Sequence, residues 1–509
     1  MKRVLKKSIK MHVYVGVASP WLNEHIKSFV RNHVPDAVFI DDFDKFPTDA
    51  ETVLQFCDGW ALSQNFALLN SASNGLINAY PNSDALARKD YLARAVEYWT
   101  AKRPDSALRG HVPQTVRLSL DYAEYVEDAL AAADDLTLLY SLEQNEQKPE
   151  EERDWWILKP ALVDCGAGIR IFSTIDELAG HLELAEYEDE SDDESEEAEE
   201  TEAETDLITP VTVPDKDKDK PSPFNPSLSL PALASLDGLV TTTSNLSLTP
   251  KTSPATPRTP ALRPKKPTYI FKANGRIPSA QMRAFVAQQY ICRIPPLDTR
   301  KWHVRAYVLS IGRLKVHVFR DMLTLLAAEA YQPPWERPSL KSSLTNTALQ
   351  DEDEVVGGQA MRGFWNDEEV RVPGLDERMK GEWKQRVWEQ VCEVTGEVFR
   401  AAVHTMADKF TTVDKCFELF ALDYLVDVDA NVWLLEANET PAFYQHGVAG
   451  PMALELTEAV VAVALEHMGK GKMEDERNKE ARGRMVQVLD ETEKLGKSNI
   501  TEIVEEEWC

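Results

Sequence analysis

Residues 417–441 read FELFALDYLVDVDANVWLLEANETP, and the fold of the chain turns on how this stretch bends back on itself. Two apolar runs flank Asp427-Val428-Asp429-Ala430-Asn431, residue types that favour turns because Asp and Asn side chains bond their own backbone. A β-hairpin is therefore expected. If Asp427 and Val432 close it, Asp423 stands opposite Glu436, and because strand side chains alternate, Glu436 and Asn438 lie on that same face. Two carboxylates and an amide oxygen would then meet inside an otherwise apolar sheet. Like charges buried together repel unless a cation neutralises them. A small set of hard oxygens suits Mg²⁺, which keeps several waters and binds nucleotide phosphates. The other reading is an edge hairpin with its acids in water; the apolar character of FALDYLVD and LLEAN weighs against it.

Working upstream, Trp302–Phe319 reads as two strands, WHVRAYVLS and KVHVFR, around the turn Ile311-Gly312-Arg313. Lys301 and Arg305 are four apart, so on a strand they share one face and can point into one cleft; taken alone, such a pair is more often a solvated strand face. Farther back, Trp155–Phe172, WWILKPALVDCGAGIRIF, reads as a buried strand ending in Lys159-Pro160, a loop with Gly166 and Gly168, and a second strand. Glycine lets backbone N–H groups approach phosphate oxygens and lysine supplies a point charge. By itself this is a weak signal, since two spaced glycines are common in hairpin turns, and no GxxxxGK[ST] loop occurs.

The runs HVYVGV, AVFI, WWILK and GIRIF read as strands. DALARKDYLARAVEYW, 84–99, reads as a helix, with Leu86, Leu92, Ala95, Val96 and Trp99 close to one face. Alternating strands and helices point to an α/β or α+β architecture. Residues 379–409 read as a long amphipathic helix, 332–374 as a loop, 451–468 as a closing helix, and the charged tail after Gly469 as a solvated helix or disordered chain. Between 186 and 266 the composition changes: an acidic block with 14 acids and no bases over 186–206, a Lys/Asp stretch, then Ser, Thr, Pro and Leu. Such a segment buries too little apolar surface to offset its ordering entropy and is expected to loop out as a disordered insertion. Its pairs Thr249-Pro250, Ser253-Pro254, Thr256-Pro257 and Thr259-Pro260 either accept phosphate from proline-directed kinases or are incidental to a linker.

With 509 residues and 43% hydrophobic content, the chain has length for two or three domains and enough apolar mass for a sizeable core. No apolar run reaches the roughly 18 residues of a membrane span, and the basic N-terminus MKRVLKKSIKMHVYVG lacks the apolar stretch of a secretory signal. The six cysteines lie far apart without a CxxC pair, which fits reduced thiols and neither a disulfide scaffold nor a zinc site. A cytoplasmic protein is the expectation. The net charge of −29 repels nucleic acid, so neither a nucleic acid nor a membrane is expected as a partner.

Six segments in the same order resemble the tubulin–tyrosine ligase family, a branch of the ATP-grasp superfamily. NAYPNSDALARKDYL (78–92) is similar to the family's stretch ending in Arg-Lys before a helix. Trp156–Ile169 resembles its Trp-x-x-Lys-Pro strand and glycine loop, Gln288-Gln289-Tyr290-Ile291 its Gln-x-Tyr-Ile hinge, Lys301–Arg305 its Lys-Phe-Asp-x-Arg segment, Leu344-Thr345-Asn346 its Leu-Thr-Asn motif, and Asp423, Glu436 and Asn438 its metal-binding set. The resemblance covers roughly 76–468, interrupted by the insertion.

It implies an α+β, ATP-grasp-like fold with an N-terminal α/β domain over 1–80, a ligase domain in two parts (81–185 and 267–468) around the disordered insertion 186–266, and a charged tail over 469–509. It implies ATP and Mg²⁺ as cofactors. Lys89, Lys159 and the loop with Gly166 and Gly168 would contact phosphates, and Gln288, Tyr290 and Ile291 would line the adenine pocket. Asn346 would lie near phosphates or metal, Lys301 and Arg305 would stabilise the transferring phosphoryl group, and Asp423, Glu436 and Asn438 would hold Mg²⁺. The activity implied is ligation of a free amino acid, tyrosine first, to tubulin or another protein with an acidic C-terminal tail; glutamate or glycine ligation and a non-catalytic binding or scaffold role are the alternatives. Departures bear on the acceptor. His303 stands where the family usually has Asp, Ser343 where it often has His, and Leu325 where it usually has a second arginine; either Arg320 compensates or acceptor recognition has changed.

Overall fold

The computed structural model describes residues 10–17, 19–42, 45–57, 66–120, 125–162, 168–180, 283–346, 349–350, 360–472 and 474–495. The stretch 186–266 with its four Ser/Thr-Pro pairs, and Gly166, lie outside these.

Alternation of apolar residues builds the first strands. In β1 (Met11–Gly16), Met11, Val13 and Val15 are buried under the helix Pro20–His33, whose Leu22, Ile26, Phe29 and Val30 recur at helical spacing. Proline at the first helical position starts that helix without losing a hydrogen bond. With β2 (Val38–Ile40), β3 (Thr52–Cys57) and β4 (Asn74–Asn78), β1 forms a parallel array in the order β2-β1-β3-β4. A separate antiparallel sheet, in the order β5-β8-β6-β7, is made by β5 (Thr115–Ser119), β6 (Trp156–Pro160), β7 (Arg170–Phe172) and β8 (Ala284–Gln289). Val116, Trp156, Leu158 and Phe285 of this sheet pack with Val126, Leu130, Leu138 and Leu142 of two short helices.

The remaining strands extend the first array into a sheet of eleven. They are β9 (Arg300–Ile311), β10 (Lys315–Phe319), β11 (Leu323–Ala330), β12 (Met361–Gly363), β13 (Cys416–Val426), β14 (Val432–Asn438) and β15 (Met485–Asp490). The start of β13 joins β4 in parallel, Cys416 beside Ile77. Along its length β13 runs antiparallel to β9, from Phe417 beside Ile311 to Leu425 beside His303. Both are buried on two faces. Trp302, Val304, Ala306, Val308, Phe420, Leu422 and Tyr424 face the helix Trp383–Thr405, whereas Tyr307, Leu309, Phe417, Leu419 and Ala421 face the helices Ala449–His467 and Pro20–His33.

Local departures from expectation have physical causes. The helix expected over 84–99 is broken at Arg88, whose extended backbone (φ −83°, ψ 127°) separates Asp84–Ala87 from Lys89–Ala101. The helix expected over 379–409 begins at Trp383, because Lys380 and Gly381 adopt positive φ of 50° and 82°. Within 332–374 lie a 3₁₀ turn (Pro334–Glu336), a short helix (Leu340–Ser343) and β12. In the charged tail, β15 pairs with β10 and buries Met485 and Leu489, each in a different core. No helix among the described residues is long and apolar enough to cross a membrane.

Phe420 is fully buried and meets Phe399 edge-to-face at 5.3 Å between ring centres. Phe420→Ala is expected to lower the unfolding free energy by about 3–5 kcal/mol, measured by urea denaturation; a loss under about 1 kcal/mol would show that the site collapses around the cavity.

Candidate active site

The hairpin of β13 and β14 closes one residue earlier than the sequence suggests. Val426 pairs with Val432, and the turn between them is held by Asp427, which accepts from Asp429 N at 2.8 Å, Asn431 N at 2.9 Å and Trp433 Nε1 at 3.1 Å. The register then shifts: Tyr424 pairs with Leu434, but Asp423 pairs with Glu436. Leu435 is the extra residue of a β-bulge. The pairing of Asp423 with Glu436 is thus present, reached by a different closure. The bulge lets Leu434 and Ala437 both enter the core while Glu436 and Asn438 turn to the opposite face, with Asp423. Without it, Glu436 would share the core face with Leu434.

Across the sheet, Arg305, Asp423 and Glu436 form one row on β9, β13 and β14. Arg305 grips Asp423 bidentately, Nε to Oδ1 and Nη2 to Oδ2, each at 2.8 Å. His303 Nε2 lies 3.4 Å from Asp423 Oδ1. Burial alone would raise the Asp423 carboxyl; the guanidinium and His303 outweigh it and hold the carboxyl well below the usual carboxylate range. The same contact holds Arg305 charged despite burial. Glu436 lies 3.6 Å from Lys89 Nζ, which, against burial and the charge of Asp423, keeps its carboxyl below its ordinary value. Lys89 is the first residue of its helix because the chain breaks at Arg88.

The smaller sheet supplies the facing side. Lys159 on β6 donates to Gln288 Oε1 on β8 at 2.8 Å. Burial pushes Lys159 down to about 8, with Glu436 opposing and Lys89 adding to the shift. Lys301 Nζ stands 3.8 Å over the Tyr290 ring, a cation–π contact, and burial, countered by Cys292 and reinforced by Lys159, pushes it down to about 7. Leu344 packs with Trp155, Ile157 and Tyr290, and Thr345 Oγ1 bonds His303 Nδ1. Asn346 therefore follows a segment that bridges the two sheets. Gly168 has φ +69°, a conformation that favours glycine; Ile291 is half-buried beside Tyr290, and Asn438 Nδ2 reaches the carbonyl of Ala421 at 3.5 Å.

The structure thus gathers Lys89, Lys159, Lys301, Arg305, Asp423 and Glu436 into one field of mutual interactions: four basic side chains, two of them with protonation weakened by burial, against two carboxylates. Such a surplus of positive charge calls for an anionic ligand, as a nucleotide triphosphate is. Asp423, Glu436 and Asn438 fit a hard divalent cation in kind and in shared face, with Arg305 and His303 on Asp423 and Lys89 on Glu436 as competing contacts.

Two further features bear on the acceptor. Leu325 is buried, cross-strand from His303 on the site face, and brings no charge there. Arg320 does not replace it: its guanidinium lies between the rings of Trp365 and Trp388, at 3.9 and 4.5 Å. Reading the sequence did not assign a role to Glu418, although an acid within FELF was a signal; it is buried beside Ser83 and Tyr80.

The Kluyveromyces lactis Pby1 C-terminal domain, solved as an ATP-grasp enzyme interacting with the mRNA decapping enzyme Dcp2, is similar in fold over 94% of this chain and 99% of that one, with a TM-score of 0.57 and 21% identity. The fold is of the ATP-grasp class. The profile of the tubulin-tyrosine ligase family matches residues 67–198 and 260–474, its break falling within the stretch that composition set apart. A probable tubulin–tyrosine ligase of Schizosaccharomyces pombe is 31% identical over 90% of this chain and 92% of its own length. The probable tubulin–tyrosine ligase PBY1 of Saccharomyces cerevisiae is 28% identical over 75% of this chain, which spans 41% of that protein. The chain belongs to the tubulin–tyrosine ligase family.

Removing one partner of a buried, bidentate pair strands the other charge. Asp423→Ala is expected to lower stability by about 3–5 kcal/mol at pH 7, read by chemical denaturation. Because the folded carboxyl lies below its unfolded value, this contribution is present above the ordinary carboxylate range and lost as pH falls beneath it. A difference that stays constant down to pH 2 would refute the ionic account.

Proposed function

We propose that the chain is an ATP- and Mg²⁺-dependent carboxylate–amine ligase that adds an amino acid, tyrosine in the first place, to a carboxylate of an acidic protein tail, as tubulin carries, through an acyl-phosphate. The observation that carries this reading is the row Arg305–Asp423–Glu436 faced by Lys89, Lys159 and Lys301. In the first step an acceptor carboxylate oxygen bonds to the γ-phosphorus of ATP and the bond to the β-γ bridging oxygen breaks, releasing ADP. In the second the amine nitrogen bonds to the acyl carbon, phosphate leaves, and the amine proton passes to solvent. Mg²⁺, when bound, would supply charge neutralisation at the phosphates.

The chain's own groups position and stabilise. Asp423, Glu436 and Asn438 would hold the ion, with Asn346 near it. Lys89 and Lys159 would hold phosphate oxygens, and Gly166 and Gly168 would contribute to the same cofactor binding. Gln288, Tyr290 and Ile291 would line the adenine pocket. Lys301 and Arg305 would meet the charge that develops on the transferring phosphoryl group. The work is placed in the cytoplasm.

A second reading has specific support. The solved relative is described as interacting with a decapping enzyme, and Leu325 removes a charge from the site face. On this reading the chain keeps the nucleotide site and binds a protein partner without ligating it. Acceptor-dependent ADP release with incorporation of labelled tyrosine, glutamate or glycine into tubulin tails, resolved by mass spectrometry, separates the two.

Glu436→Gln keeps the size of the side chain and removes its charge. It is expected to abolish ATP turnover while the circular dichroism spectrum and unfolding remain cooperative; full turnover in this variant would overturn the metal assignment.

A further inference from the structure

Behind the row of charged residues, on the core face of β13, lies a carboxyl group that the proposed reaction does not use. Glu418 is 6% exposed, and among the described residues no ion pair reaches it. Its Oε2 accepts from Tyr80 N at 3.2 Å and its Oε1 lies 3.1 Å from Ser83 Oγ. Ser83 Oγ is also 3.1 Å from Oε2 of Glu439, in the exposed loop that follows Asn438. These three residues connect the segment that leads into Lys89 with the segment that follows Glu436 and Asn438.

Counting protons decides their state. A serine hydroxyl has one hydrogen to donate. With both carboxylates ionised, Ser83 could satisfy one of them and would set an oxygen lone pair against the other at 3.1 Å. A second proton removes the conflict. It belongs on Glu418, which is enclosed, and not on Glu439, which water reaches, because an ionised carboxyl is far more expensive to bury than a neutral one.

We propose that Glu418 is held as a neutral carboxylic acid that donates to Ser83 Oγ, which donates onward to Glu439, and that this Glu418–Ser83–Glu439 clamp positions the Lys89 segment against the loop after Asn438. Glu418 is thereby a positioning residue; the second half of this inference rests on the ligase-site reading and the first does not. Burial, with the charge of Glu439 adding and the bonds from Tyr80 N and Ser83 opposing, pushes the Glu418 carboxyl from 4.5 up to about 8. The other titratable groups that act on this node are the Tyr80 phenol, which bonds Ser310 Oγ and the Gly312 carbonyl, the Cys416 thiol and Asp414. Burial raises both the phenol and the thiol above their ordinary values, so neither ionises across the range where Glu418 does.

The test compares the wild type with Glu418→Gln, a neutral isostere that keeps one donor and one acceptor. Between pH 4.5 and 8 the folded wild type holds one proton more than the unfolded chain, so its stability falls as pH rises, then levels off. Urea unfolding at pH 5 to 9 is expected to show the ratio of unfolding constants, wild type to Glu418→Gln, growing by up to about tenfold per pH unit up to pH 8. A ratio independent of pH would mean an ionised Glu418 and would overturn the proposal. Glu418→Ala, which lacks the donor, is expected to be less stable than Glu418→Gln at every pH. For the positioning half, Ser83→Ala is expected to weaken binding of a magnesium–AMPPNP complex about tenfold at pH 7, while Glu418→Gln stays within about twofold. Unchanged affinity in Ser83→Ala would remove that half. No nucleotide binding by the wild type would instead remove the ligase-site reading, with the unfolding curves still deciding where the proton sits.

Discussion

Both oxygens of Asp423 are taken by one guanidinium, at the middle of the two longest strands of the large sheet. Burying either charge alone would be prohibitive; burying both is tolerable because the fork of Arg305 matches the carboxylate atom for atom. The constraint spreads outward. Asp423 can be charged in the sheet only while Arg305 or another cation is beside it. Glu436, opposite it across β13 and β14, needs Lys89 for the same reason. The lysines from the smaller sheet and from β9 in turn lose part of their affinity for protons to burial and to one another. The site is a set of charges that compensate in pairs and leave a positive remainder.

The apolar architecture gives these charges their direction. Even-numbered residues of β9 and β13 enter one core and odd-numbered residues face the other way, toward the second core at one end and the charged row at the other. A single extra residue in β14, Leu435, carries Glu436 from the core face to the face of Asp423. The bulge is thus the local device by which an apolar strand delivers an acid to the charged row, and its removal would turn that acid into a buried, unpaired charge.

Family membership and this geometry agree on the charged row of the large sheet and differ at the positions beside it. The cations and carboxylates expected of an ATP-grasp site converge here, whereas Leu325 lies apolar and buried where the resemblance leads one to expect an arginine, and Arg320 is committed to two tryptophans. On the proposed reading, chemistry at the γ-phosphate and recognition of the acceptor would be carried by different residues, so one could be kept while the other changes.

What the amino-acid sequence determined by itself was local and periodic. Turn chemistry at Asp427–Asn431, alternation through FALDYLVD and VHVF, and the helical spacing around Trp383–Thr405 announce their elements because neighbours along the chain produce them. Even the facing of Asp423 and Glu436 was legible, although through a closure off by one that the bulge repaired. The strand at Met485–Asp490 was hidden by the charge around it and by the lack of a two-residue alternation, since it is set by pairing with β10. That Arg305 closes on Asp423, that Lys301 stands on Tyr290, and that Glu418 meets Ser83 and Glu439 were decided by the tertiary structure alone. Those partners lie on different strands and loops, often hundreds of residues apart. Where a charge is buried, and what neutralises it, depends on which surfaces the folded chain brings together.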